Sequence, residues 1–196
     1  MDALSKIFDD IHMSHAEYVY VTGHEDWHIK LDTQGQVAFH IILFGHCLVQ
    51  LQNQPAQPVQ GGDIIIISSG QEHRLYYSSK HAWTLLPHDL LAEFNGHRHD
   101  PVKIGDGTRA NCLILSIRCN MDTEMARPLL SALPPIMFIQ NAMGEGAPPW
   151  LKIGLQFLAL EAERTRPGRD TLMNRLVDML LIECVRDYIE QLPEGS

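Results

Sequence analysis

Between Phe39 and Tyr77 the chain reads FHIILFGHCLVQLQNQPAQPVQGGDIIIISSGQEHRLYY. Two apolar runs flank Gly45, a polar stretch follows, then Gly61-Gly62-Asp63, four isoleucines in a row, and Ser68-Ser69-Gly70-Gln71-Glu72-His73. Short β-branched and aromatic runs punctuated by glycine are strand chemistry. Side chains on a strand alternate between its faces. His40 and His73 each adjoin such a run, so in a curled antiparallel sheet both can point into the enclosed space. A pocket with a few convergent polar groups is the first place to look for function.

The remaining strands are read from the same pattern. Runs at Tyr18–Thr22, Trp27–Leu31, Val37–Leu43, Cys47–Gln52, Asp63–Ser68, His73–Ser78 and Cys112–Cys119 are separated by a turn at Asp32–Gly35, by Gly45, by the polar stretch 53–58, by Gly61-Gly62 and by Ser69-Gly70. Strands this short and this regularly spaced predict a sandwich or barrel. A short amphipathic helix is expected over 3–13, from Ala3, Leu4, Ile7, Phe8 and Ile11. Residues 85–107 hold two prolines, three glycines and three histidines, which predicts a long, mobile loop.

Beyond residue 122 the pattern turns helical. Helices are expected at 123–133, from Trp150 (Leu151, Leu155, Leu158 and Ala162 on one face) and from Thr171 to Leu192. In the last, Leu172, Leu176, Val177, Leu180, Cys184 and Tyr188 make one face, while Met173, Met179, Ile182, Val185 and Ile189 widen it past a single stripe. Such a helix packs on the barrel with one side and on a partner chain with the other, so Leu176, Leu180, Cys184 and Tyr188 are the expected dimer residues. The expected division is a barrel with its leading helix over 1–122 and a helical dimerisation segment over 123–196.

Charge and cysteine usage narrow the function. With 15 basic and 24 acidic residues the formal charge is −9, a poor match to nucleic acid, which is held by Lys and Arg on phosphates. Apolar runs such as Ile64–Ile67 are too short to span a bilayer, and MDALSKIFDD lacks the basic region of a signal peptide. A cytoplasmic protein is expected, with no membrane contact. The four cysteines, Cys47, Cys112, Cys119 and Cys184, show no Cys-x-x-Cys spacing and read as buried thiols. Cys112 and Cys119, over ~20 Å apart along one strand and on opposite faces, cannot pair. No Ser-His-Asp order, P-loop or Gly-x-Gly-x-x-Gly is present, and Glu25-Asp26 is an adjacent pair whose carboxylates point apart. No enzyme activity is expected. His24, His28, His97 and His99 are expected to face solvent.

Gly62, five residues, Ser68-Ser69-Gly70, two residues and His73 resemble the second motif of the cupin superfamily, with Ser68 in place of its Pro and Tyr77 in place of its Asn. Of the first motif's His-x-His and following Glu, only His40 matches. Ile42 stands at the second His, and His46 or Cys47 near the Glu. The order of MDALS, the Trp27 strand, FHIILFGHCLVQL, GGDIIIISSGQEHRL, LILSIRC, PLLSALPPIMFI, the Trp150 helix and GRDTLMNRLVDMLLIECVRDYI is similar, over nearly the whole chain, to the amino-terminal ligand-binding domain of AraC-type transcription regulators.

That resemblance implies a mainly β fold, a cupin-like double-stranded β-helix (jelly-roll barrel) followed by a carboxy-terminal antiparallel helical pair. It implies an effector-sensing and dimerisation domain that binds a small molecule through His40, His73, Phe39, Cys47 and Tyr77 and forms a homodimer. DNA would be met only through a helix-turn-helix part beyond the last helix, absent from this chain. Two alternatives stay open. One is a small metal-dependent cupin enzyme, an oxygenase or isomerase, holding zinc or another divalent metal on His40, His73 and Cys47, with His46, His24 and Glu72 as further candidate ligands. Such a site needs three or more converging donors and an open position, and Ile42 at a ligand position argues against it. The other is a thiol-based oxidant sensor at Cys47 or Cys112. Neutral imidazoles hydrogen-bonded in the pocket wall are the plainer reading of the two histidines.

Overall fold

The computed structural model describes residues 13–94, 100–121, 132–142, 144–145, 149, 152–154, 156–157 and 167–190. The described strands are β1 Met13–His24, β2 His28–Leu31, β3 Val37–Leu51, β4 Gln57–Gln60, β5 Ile64–Ile67, β6 His73–Tyr76, β7 His88–Asp89, β8 Val102–Ile104, β9 Ala110–Met121 and β10 Met137–Ile139. They join into one sheet, in the order β7-β2-β6-β3-β9-β1-β8, with β4, β5 and β10 attached at its branches. The sheet curls into a nearly closed barrel, as the strand pattern predicts.

β3 is the hinge of this arrangement. Its first half pairs with β5 and β9, and its second half with β4 and β6. Gly45 was expected to be a turn between two strands. Instead the chain continues through it as one bent strand, with a register shift between Ile42 and Phe44. Gly45 has a φ of +84°, which only glycine adopts readily. A Cβ there would run into the Asn111 carbonyl oxygen of the adjoining strand. This bend turns β3 from one wall into the other, the usual work of a bulge at a barrel corner.

Alternation along the strands divides the core into two layers. The lumen holds Val19, Val21, Trp27, Ile29, Leu31, Ile42, Val49, Leu51, Ile65, Ile67 and Leu75, with Cys47 and Cys112. The outer layer holds Phe39, Ile41, Ile64, Ile66, Leu115, Ile117 and Cys119, covered by Val177, Leu180, Leu181, Cys184 and Val185 of the C-terminal helix Arg169–Glu190. Cys112 and Cys119 do lie on opposite faces.

Several expectations are corrected. The polar stretch after Asn53 is followed by β4, which among the described strands pairs only with β3, an edge position where Pro58 is tolerated. Much of 85–107 is built rather than loose. β7 runs parallel to β2 and β8 parallel to β1, joined in part by a 3-10 turn at Leu90–Glu93. β10, within PLLSALPPIMFI, extends the sheet beside β5. The last helix lies where expected, but its Leu176, Leu180, Cys184 and Tyr188 face the barrel, not a vacant side. The expected helix at 3–13 lies outside the described residues except for Met13, which opens β1. The one at 123–133 is described only at 132–133, and most of the one at Trp150, with the side chains of Met173 and Ile189, is not described.

Candidate functional site

His40 and Ser116 stand opposite each other on β3 and β9, so alternation turns both into the lumen. His73 opens β6, opposite Leu51 of β3 and Leu31 of β2, on the other wall. The two imidazoles meet in the middle, fully buried. Their Nε2 atoms are 2.7 Å apart and their rings cross at 64°.

The direction of the hydrogen bonds follows from their ends. The Gln71 carbonyl oxygen, 3.0 Å from His73 Nδ1, can only accept, so His73 carries its proton on Nδ1 and presents a lone pair on Nε2. His40 Nε2–H therefore donates to it. His40 Nδ1 is left to accept from the Ser116 hydroxyl at 2.8 Å. All four ring nitrogens are paired and both rings are neutral. Burial pushes His40 well below its ordinary value, with His73 beside it adding to the effect. Burial likewise pushes His73 down to about 4, against the opposing pull of the Gln71 carbonyl and of the Asp32 and Glu72 charges.

This pair does not fit a resident metal. Tetrahedral zinc with bonds of about 2.0–2.1 Å holds its ligand atoms roughly 3.3 Å apart and takes four of them. Here the two Nε2 atoms share a proton at hydrogen-bond distance. Among the described residues no three of His, Cys, Asp and Glu converge. Cys47 sits in the lumen layer within hydrogen-bond reach of Cys112; that contact, then burial and the nearby Asp63, push its thiol well up. His46 is exposed and lies beside Tyr77, ring centres 5.4 Å apart. Glu72 is held by Arg74 at 3.3 Å. His24 is half-buried, away from the pair's hydrogen bonds.

Of the residues expected around one pocket, His40 and His73 come together and the rest do not join them. Phe39, next to His40 on a strand, necessarily faces the opposite way, into the outer layer. Tyr77 is half-buried at the barrel's edge and packs on the lumen layer. His28, expected in solvent, is buried. Its Nδ1 meets the Leu85 carbonyl oxygen at 3.1 Å and its ring stacks on Trp83, centres 5.5 Å apart. His97 and His99 lie outside the described residues.

Two participants went unread in the sequence. Ser116 is the lone hydroxyl in an apolar strand, and its even spacing with Ile114 marks its face. Ser68, at the motif's proline position, donates its hydroxyl to the Pro134 carbonyl oxygen at 2.6 Å. A proline could not do this, so the substitution ties β5 to the segment ahead of β10. Asp63 makes a second tie: its carboxylate accepts the backbone N–H groups of Gln60 and Asn141, both at 2.9 Å.

A family model described as Cupin matches residues 2–190. The chain belongs to the cupin family. This cupin is 42% identical over 196 residues to the HTH-type transcriptional regulator AlkR of Acinetobacter baylyi, covering 99% of the chain and 63% of AlkR. It is 25% identical over 193 residues to the HTH-type transcriptional regulator MtrA of Neisseria gonorrhoeae, covering 97% of the chain and 60% of MtrA. The chain spans about six-tenths of the length of both. Among solved structures, ToxT from Vibrio cholerae O395 aligns with a TM-score of 0.45 at 10% identity, over 92% of this chain and 56% of that one. No helix among the described residues is long and apolar enough to cross a membrane.

Proposed function

We propose that this cupin is the effector-sensing and dimerisation domain of an AraC-type transcriptional regulator, cytoplasmic and without enzymatic activity of its own. The observation that carries the reading is the 42% identity to a transcriptional regulator along nearly the whole chain. The closed hydrogen-bond chain Ser116–His40–His73–Gln71 supports it, because it leaves no ring nitrogen free for metal or substrate. A small molecule would act by favouring one packing of the helix Arg169–Glu190 on the barrel over another, which requires different affinity for the two states. DNA would be contacted by a separate helix-turn-helix part, since the acidic charge here opposes phosphate binding.

Sedimentation equilibrium and metal analysis of untagged protein test this together. A dimer at tens of micromolar with substoichiometric metal is expected. Stoichiometric iron or manganese would favour the metal-dependent oxygenase or isomerase, and a strict monomer would remove the dimerisation role.

A further inference from the structure

The lumen is closed to an effector as it stands. Trp27, Ile29, Leu31, Ile42, Leu51, Ile65, Ile67 and Leu75 are all fully buried there, packed around the paired histidines. A cavity of about 500 Å³ opens elsewhere, between β10 and the C-terminal helix. It is lined by Pro134 and residues 136–140 on one side and by Cys184 and Tyr188 on the other; of β10 and its flank, Met137 and Ile139 pack with the helix, while Ile136 and Phe138 pack on the lumen layer. That volume lies within the roughly 300–1,000 Å³ of small-molecule sites, and the lining exposes polar and apolar surface in about equal parts.

We propose that the effector site is this cavity, and that it takes a neutral, amphipathic small molecule such as a medium-chain alcohol. The inference rests on the regulator reading and gives it a place and a ligand class. Neutrality follows from the described lining: no Lys, Arg, His, Asp or Glu is among those residues, so against them a carboxylate would lose its water without gaining a cation. The site's position supplies the coupling. One wall is a short strand whose sheet neighbour is β5, and the other is the helix itself, so an occupant touches both elements whose relative packing has to change. β10 is in turn fixed to the barrel through the Ser68–Pro134 and Asp63–Asn141 hydrogen bonds, and the helix through the Asn174 side chain, which accepts the Ala16 N–H at 3.0 Å.

The test is equilibrium dialysis of the 196-residue chain with decan-1-ol, with decanoate at neutral pH as the charged control, alongside amide hydrogen exchange. Saturable binding of one alcohol per chain is expected, at least tenfold tighter than decanoate, with slowed exchange at 136–140 and 180–188. Gln140→Trp, a change at an exposed position, should weaken the alcohol at least tenfold while leaving the melting temperature in place. Protection centred on β3 and β6 around the histidines, equal binding of decanoate, or indifference to Gln140→Trp each overturns the site. Sedimentation with and without decan-1-ol separates the two readings. Binding in the cavity with unchanged association upholds the site and counts against the regulator mechanism, whereas an intact dimer that binds no alcohol overturns the site alone.

Discussion

His40 Nε2 and His73 Nε2 lie 2.7 Å apart in the barrel's interior, brought from opposite walls although 33 residues separate them in the chain. Each ring is held from behind, His40 by the Ser116 hydroxyl and His73 by the Gln71 carbonyl oxygen. The pair is thus one polar chain threaded through an apolar core, and it is stable only while every member is satisfied.

Removing the head of that chain should be felt throughout it. Ser116→Ala leaves His40 Nδ1 buried without a donor, a loss of about 1–3 kcal/mol. Urea unfolding at neutral pH would read it as a lower midpoint with an unchanged slope. A variant as stable as the parent would mean that another group reaches Nδ1, and that the assigned hydrogen-bond direction is wrong.

Acid should destabilise the fold before any carboxylate titrates fully. Both histidines have folded-state values below the unfolded 6.5, His73 at about 4. Between those values the unfolded chain binds more protons than the folded one, so stability falls as pH falls. The loss begins near 6.5 and ends at the folded value. For His73 alone it amounts to about 2 kcal/mol at about pH 5 and about 3 kcal/mol at about pH 4. Urea midpoints over this range check it. Replacing both residues, as His40→Leu with His73→Leu, should flatten the dependence.

The strands could be read because apolar β-branched runs bounded by glycines have few other uses. Both histidines were found from their neighbours along the chain. What escaped reading depends on contacts distant in sequence. β4 contains Pro58 and two glutamines, and is a strand only because β3 offers it an edge. β10 is three residues long and is recruited by β5. Phe39 was legible and misassigned, since a residue adjacent to His40 on a strand cannot share its face. The last helix shows a wide apolar stripe in its sequence, but nothing local says which part of that stripe meets the barrel.

The bend in β3 depends on one missing methyl group. Gly45→Ala places a Cβ against the Asn111 carbonyl oxygen in a left-handed backbone conformation. Backbone strain of this kind costs about 1–3 kcal/mol before the clash is added. A melting temperature lowered by ten degrees or more is expected, with near-ultraviolet dichroism changed around Trp27, whose indole N–H donates to the Asn111 side chain at 2.9 Å. A parent-like melt would show that β3 can pass the corner another way.

All four cysteines are buried, and burial pushes Cys119 up as the Cys112 contact and burial do Cys47. The thiolate is the reactive form, so native protein should resist alkylation and mild hypochlorite, with all four thiols reacting once it is unfolded. Rapid formation of a Cys47–Cys112 disulfide in native protein would instead revive the oxidant-sensor reading.

The C-terminal helix lets folding and pairing be separated by mutation. Leu180 is buried between the helix and the barrel's outer layer, so Leu180→Ala should cost about 2–5 kcal/mol, as truncations of buried leucine do, at any protein concentration. Met179, the next residue along, is 46% exposed and lies on the side the barrel leaves open. If the proposed dimer forms on that side, Met179→Asp buries a charge in the contact and should weaken association at least tenfold while leaving the monomer's urea midpoint unchanged. Sedimentation of the two variants side by side decides it, because a dimer indifferent to Met179→Asp must be held together by some other surface.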